Sequence, residues 1–159
     1  MTFQSLLLPG RVLCNVEARS KKHALDVLSE LLSSATDIDQ GDVFQSLIKR
    51  EKLGCTAIEN GIAIPHGRLP DLEEPIGAFL KLSRPVDFDM PDREPVDLIF
   101  GLLVPAPADN AGCHHEEVSL VATAFADRTL ATALRGATSS RAIYELLTAP
   151  DPGRRAAAS

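Results

Sequence analysis

The chain has few cysteines, and they are not grouped. Cys14, Cys55 and Cys113 are the only three in 159 residues, and an odd count without a CxxC spacing argues against a disulfide framework and a structural zinc site. Cys113 is followed directly by His114 and His115. Consecutive side chains diverge on a helix or a strand, so this run does not predict a metal centre. We expect no metal site.

Long apolar segments and basic stretches are also missing. The longest run without charged or strongly polar residues, 98–108, is interrupted by two prolines and falls short of the roughly 20 residues that span a bilayer. Residues 1–5 contain no basic segment leading into an apolar one, which predicts no signal peptide. The net charge of −6 weighs against binding to nucleic acid or anionic membranes. We expect a cytoplasmic protein without membrane insertion or nucleic-acid binding.

Nucleotide-binding motifs are absent as well, since the sequence contains neither a Walker loop nor GxGxxG. This predicts no tightly bound organic cofactor. Hydrophobic residues make up 45% and charged residues 24% of the chain, a balance typical of one globular domain. We assign residues 1–150 to that domain. Residues 151–159 lack apolar periodicity and are expected to form a flexible C-terminal tail.

Helix signals are frequent. Apolar residues at helical spacing after Ser20 predict a helix over 21–34, and a second is predicted from a cap at Asp39 to a stop at Gly54. The same reasoning predicts a helix starting near His114, a short one from Asp127 or Thr129 through Leu134, and a last one capped by Ser139 or Ser140 and ended by Pro150.

Strand signals lie between the helices. Residues 62–64 form a short apolar run that ends at Pro65, and 76–82 read as a strand bounded by prolines at 75 and 85, with 86–88 as a possible edge continuation. Residues 96–104 are almost continuously apolar, which is typical of a central strand covered on both faces. Strands between helices predict an α/β layered fold around one sheet.

One histidine stands out from this pattern. His66 follows Pro65 and precedes Gly67, so its imidazole is expected at a strand end beside a loop, with little bulk around it. Arg68 places a fixed cation nearby, suited to a phosphate or a carboxylate. The setting favours a histidine that carries a phosphoryl group, although a structural or surface histidine fits the spacing as well.

The segment from Arg50 to Arg68, and above all its Asn60–Arg68 end, resembles the phosphohistidine signature of fructose/mannitol-type EIIA proteins of the bacterial phosphotransferase system. It is most similar to the nitrogen-related branch, EIIA-Ntr. The block 114–121 is similar to the helix start of that family, and the resemblance runs from about residue 7 to 150. It implies a single-domain fold with a central mixed β-sheet flanked by helices, a layered α/β sandwich. It also implies phosphorylation of His66 on Nε2.

The same resemblance implies roles for other residues. His114 would stabilise the phosphoryl charge, although His115 stands where the family has leucine and leaves the assignment open between the two. Arg50 would contact the phosphate, or would be a surface arginine at a helix end. Thr56 and Asn60 are candidates for hydrogen bonds to the site.

The resemblance implies a phosphoryl carrier with a phosphohistidine intermediate more than a stand-alone enzyme. Its donor would be an HPr-like phosphocarrier of the nitrogen-related type, and its phosphorylation state would regulate target proteins. The alternative is a sugar-specific EIIA that relays the group to an EIIB component for fructose or mannitol uptake. Four carboxylates flank the two histidine blocks and are candidates for docking the carrier: Glu73, Glu74, Glu116 and Glu117.

Overall fold

Four of the predicted helices begin directly after an N-cap that the sequence indicated. The computed structural model describes residues 3–34, 36–70, 72–89, 94–106 and 115–149, and the backbone alone for His115. The Ser20 hydroxyl accepts a hydrogen bond from the His23 N–H at the start of one helix, and the Asp39 carboxylate caps the next. The helices are α1 Phe3–Leu6, α2 Lys21–Ser33, α3 Gln40–Leu53, α4 His115–Phe125, α5 Arg128–Gly136 and α6 Ser140–Thr148.

Six strands form one mixed sheet within the described residues. The strands are β1 Val12–Val16, β2 Ala57–Ile58, β3 Ile62–Ala63, β4 His66–Leu69, β5 Ile76–Val86 and β6 Val96–Pro105. Parallel pairs join β1 to β5, and β3 and β4 to β6, whereas β5–β6 and β2–β3 are antiparallel. The order is β1-β5-β6-β3-β2, and β4 also pairs with β6.

The run at 96–104 is the central strand that its composition predicted. It becomes β6, which pairs with β5 on one side and with β3 and β4 on the other. Its residues alternate between two apolar cores. One core packs α1, α4, α5 and α6 against the sheet, and the other packs α2 and α3 against the opposite face. The layered α/β fold is therefore confirmed.

The prediction that Pro85 bounds a strand is wrong. β5 continues to Val86, which pairs with Val96 after a shift in register between Lys81 and Val86. Pro85 lies in that irregular stretch and is exposed, where a missing N–H costs no ladder hydrogen bond. The predicted continuation at 86–88 is confirmed for Val86, the last residue of β5, and the next two residues lie beyond the strand.

The N-terminal elements were not predicted. α1 has only four residues and β1 only five, too few for a clear helical or alternating pattern. The 151–159 tail lies outside the described residues. Among the helices that the structure describes, none is both long enough and apolar enough to cross a membrane.

Candidate functional site

His66 is the first residue of a strand, whereas the sequence predicted it directly after the last residue of one. β3 stops at Ala63, and His66 is the first residue of β4, opposite Leu102 of β6. Between them the Pro65 carbonyl accepts a hydrogen bond from the Leu102 N–H at 2.9 Å. Proline can accept but not donate, so the chain follows β6 across the interruption. The imidazole therefore emerges at a break between two short strands.

Two hydrogen bonds fix the imidazole of His66. Its Nδ1 lies 2.9 Å from the Ile64 carbonyl oxygen, and its Nε2 lies 3.1 Å from Nε of Arg50. A guanidinium N–H can only donate, so Nε2 must accept and carry the lone pair. Nδ1 then carries the proton and donates to Ile64. The ring is held as the neutral tautomer whose nucleophilic nitrogen is Nε2.

A close approach between α3 and β4 brings Arg50 to this ring. A Cβ on Gly67 would lie 2.0 Å from the Ser46 Oγ and 2.9 Å from its Cβ, so only glycine fits there. Ser46 and Arg50 are one helical turn apart on the same side of α3. Arg50 is held in turn by the Gly54 carbonyl, which accepts from its Nη1 at 2.8 Å.

Gly67→Ala is expected to push α3 away from β4. The clash includes the Ser46 Cβ and its backbone carbon at 3.1 Å, so rotation of the hydroxyl alone does not relieve it. Overpacking of this kind costs about 1–3 kcal/mol in the free energy of unfolding, which urea denaturation measures. Gly136→Ala is the matched control because that position is open. Equal stability of the two variants would contradict the close approach.

The surroundings of His66 favour its neutral form. Burial lowers the pKa of this half-buried ring from 6.5, and the charges of Arg50 and Arg68 lower it further. Donation to the Ile64 carbonyl and the charge of Glu51 act in the opposite direction, and the net change is downward. The neutral imidazole, with Nε2 able to attack, therefore predominates above pH 6.5.

A titration of His66 should show this shift. The expected midpoint for its ring C–H resonances lies below 6.5, since the folded protein binds the proton more weakly than a free imidazole does. The neutral fraction, and with it the capacity for nucleophilic attack, should persist at neutral pH and fall only as pH drops through that lowered midpoint. A midpoint at or above 6.5 would contradict this environment for the ring.

Arg68 shares one side of β4 with His66, because side chains two apart on a strand point the same way. It is exposed and acts on the ring through its charge. Thr56 is buried, and both its N–H and its hydroxyl donate to the carboxylate of Glu51. Its carbonyl accepts from the Ile64 N–H at 3.1 Å. Thr56 thus reaches His66 through Ile64 and not by direct contact.

Asn60 is not brought to His66. It forms the turn between β2 and β3 in a left-handed conformation, with φ of +67°, and its carbonyl accepts from Arg135. Ile62 pairs with Leu98 and His66 with Leu102. Four residues along β6 correspond to about 13 Å, so Asn60 lies at the far end of β3. The expectation that Asn60 hydrogen-bonds to the site does not fit this placement.

The second histidine block is only partly described. His114 lies outside the described residues, and only the backbone of His115 is placed, at the start of α4. Of the four glutamates expected at the docking rim, Glu73, Glu74 and Glu116 are exposed. Glu117 is 4% exposed, so its assignment to the rim is wrong. Within the part of the chain that the structure describes, no three acidic, cysteine or histidine residues converge as metal ligands would.

Comparison with known proteins gives three consistent similarities. Residues 5–149 match the family model for the EIIA 2 component of the phosphoenolpyruvate-dependent sugar phosphotransferase system. The nitrogen regulatory protein of Klebsiella oxytoca is 45% identical over 134 residues, 84% of this chain and 82% of that protein. The nitrogen regulatory protein of Bradyrhizobium diazoefficiens is 40% identical over 151 residues, which are 94% of this chain and 97% of that protein.

A solved structure is similar over most of the chain. Nitrogen regulatory protein IIA-Ntr from Neisseria meningitidis is 36% identical, with a TM-score of 0.82 over 91% of this chain and 97% of that chain. The family match over residues 5–149 includes the sheet, both helical layers and His66.

Proposed function

The chain belongs to the EIIA 2 family of the phosphoenolpyruvate-dependent sugar phosphotransferase system, and on that premise we propose that it is a phosphoryl-acceptor protein of the nitrogen-related branch. It accepts the group on His66 and regulates target proteins according to its phosphorylation state. The names of relatives at 40–45% identity support the nitrogen-related assignment. The match over residues 5–149 supports residues 1–150 as one working domain.

The observation that carries the proposal is the lone pair on Nε2 of His66. That nitrogen attacks the phosphorus of a donor phosphohistidine, so one N–P bond forms while the donor's N–P bond breaks and its imidazole regains the electron pair. Nδ1 keeps its proton and its hydrogen bond to Ile64. The cation of Arg50, already 3.1 Å from Nε2, is placed to bind the phosphoryl oxygens as they arrive.

The phosphohistidine formed in this way needs little further machinery. Its high-energy N–P bond allows transfer in either direction, so positioning and charge neutralisation carry the reaction. Arg68 adds a second cation on the same side of β4. We assign His114 to stabilise the phosphoryl charge, with His115 as the alternative one residue along. Separate alanine variants at the two positions distinguish them by which one slows phosphorylation.

Family membership implies partners of two kinds, a phosphocarrier that supplies the group and an EIIB-type component. We propose that the donor is the HPr-like phosphocarrier of the nitrogen-related chain, that regulated proteins take the place of EIIB, and that these encounters occur in the cytoplasm. Glu73, Glu74 and Glu116 remain candidates for a docking rim, because exposed carboxylates chiefly set the rate and salt dependence of association.

A reconstituted phosphorelay tests the proposal. The protein is incubated with radiolabelled phosphoenolpyruvate, Enzyme I and, in separate reactions, a nitrogen-related or a sugar-type phosphocarrier. We expect faster labelling by the nitrogen-related carrier and no onward transfer when a fructose- or mannitol-type EIIB is added. Rapid transfer to EIIB would support the sugar relay instead, and no labelling by either carrier would overturn the proposal.

A further inference from the structure

Glu51 is a buried carboxylate beside the site that sequence patterns did not single out. Its side chain is 5% exposed and forms an ion pair with Lys21 at 2.9 Å. It also accepts hydrogen bonds from the hydroxyl and the N–H of Thr56. Burial of a carboxylate is costly unless it is paired and hydrogen-bonded. Here both conditions are met by α2 and by the loop after α3.

Thr56 lies in a loop whose two ends contact the residues that hydrogen-bond to His66, which are Arg50 and Ile64. Residues 54–56 form the short loop between α3 and β2. At one end of the loop, the Gly54 carbonyl accepts from Arg50 at 2.8 Å. At the other, the Thr56 carbonyl accepts from the Ile64 N–H at 3.1 Å, and the Ile64 carbonyl accepts from Nδ1 of His66 at 2.9 Å.

We propose that Glu51 is a positioning residue for phosphoryl transfer. By holding Thr56, it fixes the loop that aims Arg50 at Nε2 and the carbonyl that orients the His66 ring. Glu51 does not touch the reacting atoms and acts through these neighbours. The inference rests on the proposed function, because positioning matters only if His66 accepts the phosphoryl group.

The ion pair with Lys21 explains how the carboxylate stays charged in a buried position. Lys21 begins α2 and also reaches the Phe88 carbonyl at 3.4 Å, with its ammonium 5.2 Å from the centre of the Phe88 ring. Glu51 is thus held by Lys21 of α2 and by Thr56 of the loop after α3. Its negative charge raises the pKa of His66, opposing Arg50 and Arg68, which lower it. Replacement of Glu51 should therefore move the titration midpoint of His66, both through its own charge and through the position of Arg50.

A purely structural role is the competing explanation, since a buried ion pair can simply link α2 to α3. Asp97→Asn is the matched control, because it breaks a partly buried ion pair with Arg135, 2.8 Å long, at the far end of β3 from His66. Both variants are expected to lower stability. Only Glu51→Gln is expected to slow transfer per folded molecule and to move the His66 midpoint.

The experiment measures single-turnover phosphorylation by the phosphocarrier, normalised to the folded fraction, together with the His66 titration. Glu51→Gln is expected to slow transfer on the order of tenfold, because small misplacements of a catalytic group carry large costs in rate. Its His66 midpoint should differ from that of the wild type, because the variant removes the charge of Glu51 and releases Arg50, both of which act on the ring. Wild-type rate and midpoint in Glu51→Gln, alongside the same result in Asp97→Asn, would overturn the inference.

A second pair of variants tests the positioning role of Glu51 if Glu51→Gln does not fold. Thr56→Val removes the hydroxyl that donates to Glu51 and keeps the backbone N–H, whereas Thr56→Ser keeps both. We expect slower transfer in Thr56→Val and recovery in Thr56→Ser. Equal rates in the two would overturn the positioning role. Absence of labelling in the wild type itself would instead overturn the proposed function, so the two failures are distinguishable.

Discussion

His66→Ala is expected to abolish phosphorylation by the phosphocarrier. The Nε2 nitrogen of this ring carries a lone pair 3.1 Å from the Arg50 guanidinium, and alanine removes that nucleophilic nitrogen without a substitute. The readout is protein-bound label that is acid-labile and alkali-stable, as phosphohistidine is. The loss should be complete, because without a nucleophile no covalent intermediate forms.

His23→Ala is the matched control for this variant. His23 is the other histidine whose side chain the structure describes, and its Nδ1 accepts a hydrogen bond from the Arg19 N–H at 3.1 Å, at the start of α2. We expect wild-type labelling in His23→Ala. If His66→Ala were labelled as strongly as the wild type, the assignment of the phosphoacceptor would be wrong.

Arg50→Met should slow phosphorylation by about 10²–10³-fold, the usual cost of removing one preorganised charge-stabilising donor. Methionine keeps much of the side chain's bulk and removes the guanidinium, so the arriving phosphoryl charge is no longer neutralised. Because Arg50 lowers the pKa of His66, the variant should also raise the His66 titration midpoint. Single-turnover labelling and the titration measure the two effects separately.

Arg141→Met serves as the comparison for Arg50→Met. Arg141 lies on α6 in an exposed pair with Glu145, with its side chain 88% exposed, and its loss should leave the rate unchanged. Arg50→Met with the rate of Arg141→Met would show that the guanidinium plays no part in transfer. A slower rate without a change in the His66 midpoint would place Arg50 farther from the ring than the structure does.

The elements that sequence predicted well are those whose signals are local. Ser20 and Asp39 cap helices as expected, and Asp127 and Ser139 are the caps from the two candidates predicted for each of the last two helices. Such signals are local because a side-chain oxygen at the N-cap satisfies a backbone N–H of the next turn wherever the helix packs. The apolar run of β6 likewise identified the central strand. The family was recognised from the Arg50–Arg68 segment, and the match over residues 5–149 confirms it.

The site was harder to predict because its contacts join residues that are distant in sequence. The approach of Ser46 to Gly67 and the hydrogen bond from Arg50 to His66 depend on how α3 packs against β4. Glu51 lies between two basic residues at a helix end, and such a run of charged residues is typical of a solvent-exposed surface. Its burial depends on a tertiary contact, the ion pair with Lys21 of α2, which the sequence does not reveal.

Nearness in sequence was misleading in two places. Asn60 is six residues from His66, yet an extended chain covers about 3.3 Å per residue, and the turn it forms is tied to Arg135 instead. Glu117 follows the exposed Glu116 on α4, but adjacent helical residues point in directions about 100° apart. One therefore faces solvent while the other is buried.

The position of the phosphoryl group on the His66 ring tests the central claim most directly. Phosphorylated protein carrying ¹⁵N-labelled histidine is examined by NMR, which identifies the bonded nitrogen by its coupling to phosphorus. The structure predicts attachment at Nε2, with Nδ1 still protonated and donating to the Ile64 carbonyl. Attachment at Nδ1, or on another histidine, would contradict the account.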